Sequence, residues 1–529
     1  MSRYAFFSVI VLLTVATGIG GIWSHASLIA FVPLALLTLL GLWDLAQPHH
    51  AILRNYPVLG HMRWFFEGIR PEIRQYLIES ERDEDPFSRE ERSLVYQRAK
   101  DAEDKRPFGT RENVYAAGFA WLLHSAAPRP HGDGNFRLKI GGAECKKPYD
   151  ASLYNISAMS FGALGANAIL ALNTGAKLGG FAHDTGEGGL SKYHLKPGGD
   201  LIWEIGSGYF GCRDKNGRFD PAEFKDQAAH DQVKMIEVKM SQGAKPGHGG
   251  VLPGAKVTPE IAECRHVPVG QDCISPAGHS AFSTPIEFMH FLSELREHSG
   301  GKPVGFKLCV GHAWEFMAIL KAMLETGIKP DFIVVDGKEG GTGAAPLEFV
   351  NHLGMPLVEG LTFVRNALVG SGLRNQIRLG ASGKLVSAFD LVWAHALGAD
   401  WCNSARGFMF SIGCIQAQSC HTNRCPAGVA TQDHLRQRAL VVPDKAQRVA
   451  NFHRNTLEAL AEIVGAAGFD HPEQLQPWHL MVRQKNGETL PAQDAYPFIP
   501  DGSLVDGSCP IPSYADAWKM ARADSFRPV

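Results

Sequence analysis

Eight short apolar runs between Tyr154 and Ala405, each closing in glycine, serine or polar residues, constrain this chain more than any other feature. They read YNISAMS, GGFAHD, LIWEIGS, MIEVKMS, VGFKLCV, DFIVVDG, IRLGAS and DWCNSA. Runs of this length, rich in Val, Ile and Phe and bounded by turn formers, predict buried strands. Helical patterns separate the later ones, over Ser283 to Gly300, Ala313 to Gly327 and Ala388 to Gly398. Strand and helix alternating about eight times predict an α/β fold, the parallel (β/α)8 or TIM barrel, with its functional groups on the loops that leave the carboxyl ends of the strands. A doubly wound open sheet is the alternative. A later stretch, DKAQRVANFHRNTLEALAEIVGAAGF, reads as one amphipathic helix closing the domain.

The amino end has a different composition. Tyr4 to Trp23 and Ser27 to Trp43 are uncharged apolar stretches joined by a short turn, and they predict a transmembrane helical hairpin. A cleaved signal peptide is the alternative, but the first run exceeds a usual apolar signal core and a second follows at once. Arg3 precedes the pair and Arg54, Arg63, Arg70 and Arg74 follow it, so the positive-inside bias places both ends, and the large domain, on the cytoplasmic side of the cell membrane. The expected organisation is a hairpin over 1–46, a charged helical connector over 47–105, a barrel over 106–470 and a carboxyl tail over 471–529 that wraps the surface. With 52 basic and 54 acidic side chains the chain carries no global field for nucleic acid.

Several loops have compositions suited to cofactors. LGASGK (Leu379 to Lys384) and NSARGF (Asn403 to Phe408) follow the seventh and eighth runs, where many barrels build a phosphate site from small residues. Arg406 could add a charge-assisted contact there. DGKEGGTGAAP (Asp336 to Pro346) is a third glycine-rich loop, suited to close approach by a flat cofactor. Lys307, in the apolar run GFKLCV, reads either as a buried structural cation or as a partner for negative charge developing on a reduced cofactor. GSGYFG (Gly206 to Gly211) satisfies the dinucleotide fingerprint, but CRDKNGRFDP follows it where a helix should start, so no nicotinamide-binding unit is expected.

Seven of the ten cysteines are scattered and read as buried thiols. The other three, Cys414, Cys420 and Cys425, stand at C-x5-C-x4-C in CIQAQSCHTNRC. That spacing suits zinc poorly. Three thiolates suit an iron–sulfur cluster with a vacant corner, the [3Fe-4S] type, while zinc and unligated thiols stay as alternatives.

Taken with its surroundings, GCIQAQSCHTNRCPAGVATQD (Gly413 to Asp433) resembles the iron–sulfur segment of glutamate synthases. SAMSFGALG (Ser157 to Gly165), TGEGG (Thr185 to Gly189), IEVKMSQGAKPGHGGVLPGAKV (Ile236 to Val257) and DGKEGGTGAAP follow the same family's order, from about Arg106 to Asp470. The resemblance implies an FMN-binding barrel with a [3Fe-4S] cluster that reduces 2-iminoglutarate, formed from 2-oxoglutarate and ammonia. It implies Cys414, Cys420 and Cys425 as cluster ligands, and Met159, Ser160, Lys307, Gly341, Thr342, Ser382, Gly383, Ala405 and Arg406 around FMN. It also implies Glu187, Lys239 and Gln242 at the reacting centre, with Lys245 and Arg265 holding a substrate carboxylate. A ferredoxin-like or reductase protein would be the electron donor.

Departures from the family pattern shape the rest of the expectation. The chain begins MSRYAFF instead of with a cysteine nucleophile, so ammonia or an amine is expected from solution or a partner. The loop GASGK lacks the family's acidic residue and paired glycines, and SPAGHSAF (Ser275 to Phe282) replaces a stretch richer in proline and histidine. A related enzyme acting on another amine or amino acid, such as N-methylglutamate, and a membrane-anchored electron-transfer subunit are the rival readings.

Overall fold

All eight apolar runs form strands, and the strands close on themselves. In the computed structural model, which describes residues 3–83 and 86–529, they are β1 (Tyr154–Ile156), β2 (His183–Asp184), β3 (Leu201–Ile205), β4 (Val233–Lys239), β5 (Val304–Leu308), β6 (Phe332–Asp336), β7 (Arg378–Ser382) and β8 (Trp401–Ser404). Each pairs in parallel with the next, and β8 returns to β1 to complete a closed barrel. Residues 84 and 85 of the expected connector lie outside the described residues. Every residue of β3, β5 and β6 is buried, because one face lines the barrel interior and the other lies under helices. That double burial makes these runs continuously apolar, so each charged residue within them stands out.

The helices start and stop where their sequences dictate. Before Pro285–His298, the Thr284 side chain accepts from the Glu287 amide and the Glu287 carboxylate accepts from the Thr284 amide, a reciprocal cap with proline at the first helical position. Ser387 and Asp390 do the same ahead of Ala388–Ala396. Ala313–Thr326 ends on Gly327 at φ 73°, a conformation that costs a side-chain-bearing residue. The long amphipathic helix spans Val442–Ala466 and lies on Ala166–Gly179. A Cβ at Gly175 would stand 2.5 Å from Val449 Cβ, so the absence of a side chain sets how closely these two helices approach. In the tail, Leu480–Arg483 pairs antiparallel with both Ala120–Leu122 and Thr489–Pro491.

The chain divides into two compact units, Met1–Arg89 and Glu90–Val529. In the first, the two expected spans are helices of unequal length. His25–Ala46, with 22 residues and mean hydropathy 2.2, is long and apolar enough to cross a membrane. Ala5–Gly20 has 16 residues; at about 1.5 Å per residue it falls short of a hydrocarbon core of about 30 Å. The first of the two expected spans is thus the shorter helix, because the glycines and the turn at Trp23 end it at Gly20. The two helices pack together, with Thr14 and Thr38 hydroxyls 2.8 Å apart.

Candidate active site

The carboxyl ends of β2 and β4 bring one carboxylate into a set of cations. Glu187 sits in the loop after β2, and its Oε1 lies 3.2 Å from Nζ of Lys239, the last residue of β4. Ser275 Oγ donates to Glu187 Oε2 at 3.3 Å. Burial would raise the Glu187 carboxyl, but the fields of Lys239, Arg265 and Lys245 outweigh it and hold it below its ordinary value. Room for the carboxylate depends on glycine: a Cβ at Gly250 would stand 1.9 Å from Glu187 Oε1.

Lys245 and Arg265 complete this group. Lys245 is buried and donates to the Ala344 carbonyl at 3.0 Å; burial, only partly offset by Glu187, brings its ammonium down to about 8. The Arg265 guanidinium donates through Nη2 to Ser160 Oγ at 3.2 Å and to the Phe161 carbonyl at 3.1 Å, and lies over the Phe210 ring. Met159, next to Ser160, is 6% exposed. Gln242 is half-buried in the turn after β4, where its carbonyl accepts from the Lys245 amide at 3.3 Å. His279 was not anticipated: its Nε2 lies 2.9 Å from the Lys239 carbonyl and its Nδ1 3.1 Å from the Tyr209 hydroxyl, and burial pushes its ring down to about 4.

Deeper in the barrel lies a cluster that the sequence reading did not assemble. Lys307 Nζ contacts Glu204 at hydrogen-bond distance, Glu237 at 3.2 Å and Asp184 at 3.8 Å. Its side chain is 4% exposed. Burial opposes the charge, yet the surrounding carboxylates hold the ammonium well above its ordinary value. In this arrangement the Lys307 ammonium is directed at three acids, which compensate its burial. Burial raises Asp184 and Glu237, and the mutual repulsion of the acids adds to what Lys307 offsets. Among the described residues, Asp184, Glu204 and Glu237 are also the group whose carboxylate oxygens lie within 4.8 Å of one another.

The loops after β6, β7 and β8 form a second patch. Arg406 donates to the Glu339 carbonyl and lies against Gly341, where a Cβ would stand 2.8 Å from Arg406 Nε. Burial brings the Arg406 guanidinium down to about 10, against the pull of Asp336 and other anions. Ser382 Oγ lies 3.4 Å from Ser157 Oγ, and Gly383 follows at φ 152°. Ala405 is half-buried at the end of β8, while Gly341 and Thr342 are exposed. The two patches are stitched together where the Gly243 amide donates to Asp336 Oδ2 at 2.7 Å. A Cβ at Gly243 would stand 1.7 Å from the Gly337 carbonyl oxygen.

The cysteine loop leaves β8 and the short helix Arg406–Ser411. Gln416, Gln418 and Asn423 all have positive φ, at 57°, 52° and 63°, which marks a tightly determined backbone. Asn423 Oδ1 accepts from the Gln432 amide at 2.6 Å, and the Tyr96 hydroxyl donates to the Cys414 carbonyl at 2.6 Å. Burial first, with the fields of Cys420 and Cys425 adding to it, pushes the Cys414 thiol up to about 12, so the three sulfurs lie within one another's fields. Lys256, also unanticipated, is buried beside them, its Nζ donating to the carbonyls of Ala163 at 2.7 Å and Cys420 at 3.3 Å.

Comparison with known proteins places these features in context. A conserved region in glutamate synthase matches residues 139–470. The glutamate synthase large subunit-like protein YerD of Bacillus subtilis is 39% identical over 88% of this chain and 97% of its own length. The archaeal-type glutamate synthase (NADPH) of Thermotoga neapolitana is 34% identical over 65% of this chain and 64% of its own. The archaeal glutamate synthase (NADPH) of Methanocaldococcus jannaschii is 36% identical over 61% of this chain and 60% of its own.

Proposed function

Because this chain belongs to the glutamate synthase family and is an oxidoreductase, we propose that its barrel reduces an imino acid, 2-iminoglutarate made from 2-oxoglutarate and ammonia, using FMN and a [3Fe-4S] cluster. The observation that carries this reading is the charge at the carboxyl ends of β2 and β4, where Lys239, Lys245 and Arg265 converge on the single carboxylate of Glu187. Three cations against one anion leave an excess that suits a dicarboxylate substrate.

The residues fit both cofactors. Ser382, Gly383, Ala405 and Arg406 would hold the FMN phosphate, because Gly383 brings unobstructed backbone to the end of β7 and Arg406 supplies a cation. Met159 and Ser160 would lie along the ring system, with Gly341 and Thr342 beside the tail. For the cluster, Cys414, Cys420 and Cys425 offer three thiols on one loop, Cys425 buried and the other two half-buried, and burial raises those of Cys414 and Cys420, which favours thiolates there only when a metal takes the proton's place. Bound flavin supplies hydride chemistry at the imine carbon, and a cluster supplies single electrons.

This chain's own groups bind and orient. Lys245 and Arg265 hold the two substrate carboxylates. Glu187, kept ionised by Lys239, accepts a hydrogen bond from the imine N–H and relays a proton from the adding ammonia nitrogen to the carbinol oxygen, which leaves as water. Gln242 positions the turn that carries Lys245. With Glu187 and Lys239 side chains 16% and 10% exposed, little water reaches the reacting carbon. We read His25–Ala46 as a membrane anchor with the barrel on the cytoplasmic side, reached by a ferredoxin-like or reductase electron donor.

Purification without oxygen tests the reading. The expected protein carries extractable FMN together with iron and sulfide, and once reduced converts 2-oxoglutarate and ammonium to glutamate. Turnover with methylamine in place of ammonium would transfer the site to N-methylglutamate chemistry. Failure of the loaded, reduced protein to convert any imino acid would leave an electron-transfer subunit.

A further inference from the structure

A cavity of about 810 Å³ opens at the opposite pole of the barrel, where the strands begin. Its wall includes Asp331, immediately before β6, Arg378 at the start of β7 and Asp400, immediately before β8. Six cationic side chains line it against four carboxylates.

Half of those cations are already neutralised. Arg296 donates to Asp331 at 3.2 Å and to Glu144 at 2.7 Å. Arg374 and Arg378 share Asp400, at 2.9 and 3.8 Å. Lys139, Lys329 and Arg365 have no carboxylate within ion-pair distance among the described residues. Arg365 is the most telling of the three. It is half-buried, its guanidinium lies 4.3 Å from the Phe498 ring centroid, and among the described residues its one side-chain hydrogen bond goes to the neutral Asn366 amide oxygen, at 3.2 Å. Leaving a cation partly desolvated and without an anion costs free energy that an incoming anion would recover.

A second observation points the same way. His395 also lines the cavity and is 4% exposed, yet among the described residues neither ring nitrogen has a hydrogen-bond partner of ordinary geometry, although the Ala399 backbone lies close enough to favour the protonated ring. Buried polar groups are nearly always satisfied, so an unpartnered imidazole beside unpaired cations indicates a missing ligand. Burial holds this ring down to about 4, so at neutral pH it presents one N–H donor and one acceptor. Glycine keeps the space open: a Cβ at Gly398 would stand 2.6 Å from Arg365 Cγ.

We propose that this cavity is a second ligand site, distinct from the site at the carboxyl ends of the strands, and that it takes a small anion bearing two or more carboxylate or phosphoryl groups. Lys139, Lys329 and Arg365 bind the charges, and His395 donates its N–H to one anionic oxygen. The proposal stands independently of which amine the enzyme uses.

Titration calorimetry on the full chain in detergent tests it, with citrate and pyrophosphate as probes and acetate as the monovalent control. The expected result is one binding event per chain for citrate, pyrophosphate or both, at least about tenfold tighter than acetate. Arg365→Gln and the double variant Lys139→Gln/Lys329→Gln should each weaken it by about tenfold or more, while Lys245→Gln, altered only at the other pole, leaves it unchanged. Binding of citrate alone identifies carboxylates as the ligand chemistry, and binding of pyrophosphate alone identifies phosphates. If neither probe binds, or if binding survives the double variant and disappears in Lys245→Gln, the proposal fails. Lys139 is exposed and Lys329 half-buried, so the double variant carries the test should Arg365→Gln fold poorly.

Discussion

Replacing Glu237 by glutamine should stabilise this protein at pH 8, although it removes one partner of a buried ion pair. Three carboxylates share the Lys307 ammonium, and Glu237 is the least supported of them. Asp184 also accepts from the Gly186 amide at 2.9 Å, and Glu204 makes the closest contact to the lysine. Among the described residues both Glu237 oxygens lack a hydrogen bond of ordinary geometry, and Lys307 approaches Oε1 at 3.2 Å. Burial, partly offset by Lys307 and reinforced by Glu204, carries this carboxyl from 4.5 up to about 7. A carboxyl raised on folding binds an extra proton in the folded state, so its contribution to stability falls as pH rises from about 4.5 through about 7 and is constant above that. At about 1.4 kcal/mol per pH unit, the full gap corresponds to about 3 kcal/mol. Asp184, also raised, can take part of the shared proton, which leaves an expected gain of about 1–3 kcal/mol at pH 8 and about zero at pH 4.5. The readout is the thermal midpoint followed by tryptophan fluorescence between pH 5 and 8, with the variant ahead by a few degrees at the alkaline end only. Lys307→Met has the opposite sign, costing about 3–5 kcal/mol at pH 8 because it strands the acids. A Glu237→Gln protein that loses stability increasingly as pH rises would refute the reasoning, since it would mean that Lys307 fully compensates an ionised Glu237.

Two further outcomes follow from the site. Lys245 is cationic below about 8, so the KM for a dicarboxylate should climb as pH passes that value, towards tenfold per unit, and Lys245→Arg should move the rise to higher pH; a KM that stays flat from pH 7 to 10 would remove Lys245 from substrate binding. Asn423 combines φ 63° with a hydrogen bond to the Gln432 amide, so Asn423→Ala should cost about 1–3 kcal/mol locally and lower the ratio of iron to flavin, with Asn423→Gly losing less because glycine tolerates the backbone; equal iron in all three proteins would show that the loop backbone does not control metal retention.

The barrel was legible in the sequence because doubly buried strands are locally apolar and because helix starts such as Thr284-Pro285 and Ser387 carry their own caps. The amino-terminal helices were less so: hydropathy sees Tyr4 to Trp23 as one stretch, whereas the backbone turns at Gly21 and leaves 16 helical residues. The cluster around Lys307 was hidden for a different reason. Its acids lie 70, 103 and 123 positions away along the chain at Glu237, Glu204 and Asp184, and no local pattern joins them.

A signal was nevertheless present. Three successive strands, β2, β3 and β4, each carry one acid within an apolar run, and β5 carries one lysine. A fully buried run tolerates a charge only if something opposite compensates it, and inward residues of neighbouring barrel strands stack in layers. The register bears this out: Glu204 pairs with Glu237, and Lys307 stands beside Lys239. Alternation then places Lys239 on the same face as Glu237, two residues nearer the strand end. The Glu187–Lys239 pair therefore lies one side-chain layer above Glu237 on the same strand and level with Lys307, so the Glu187 carboxylate rests on charges that alternate in sign down into the barrel.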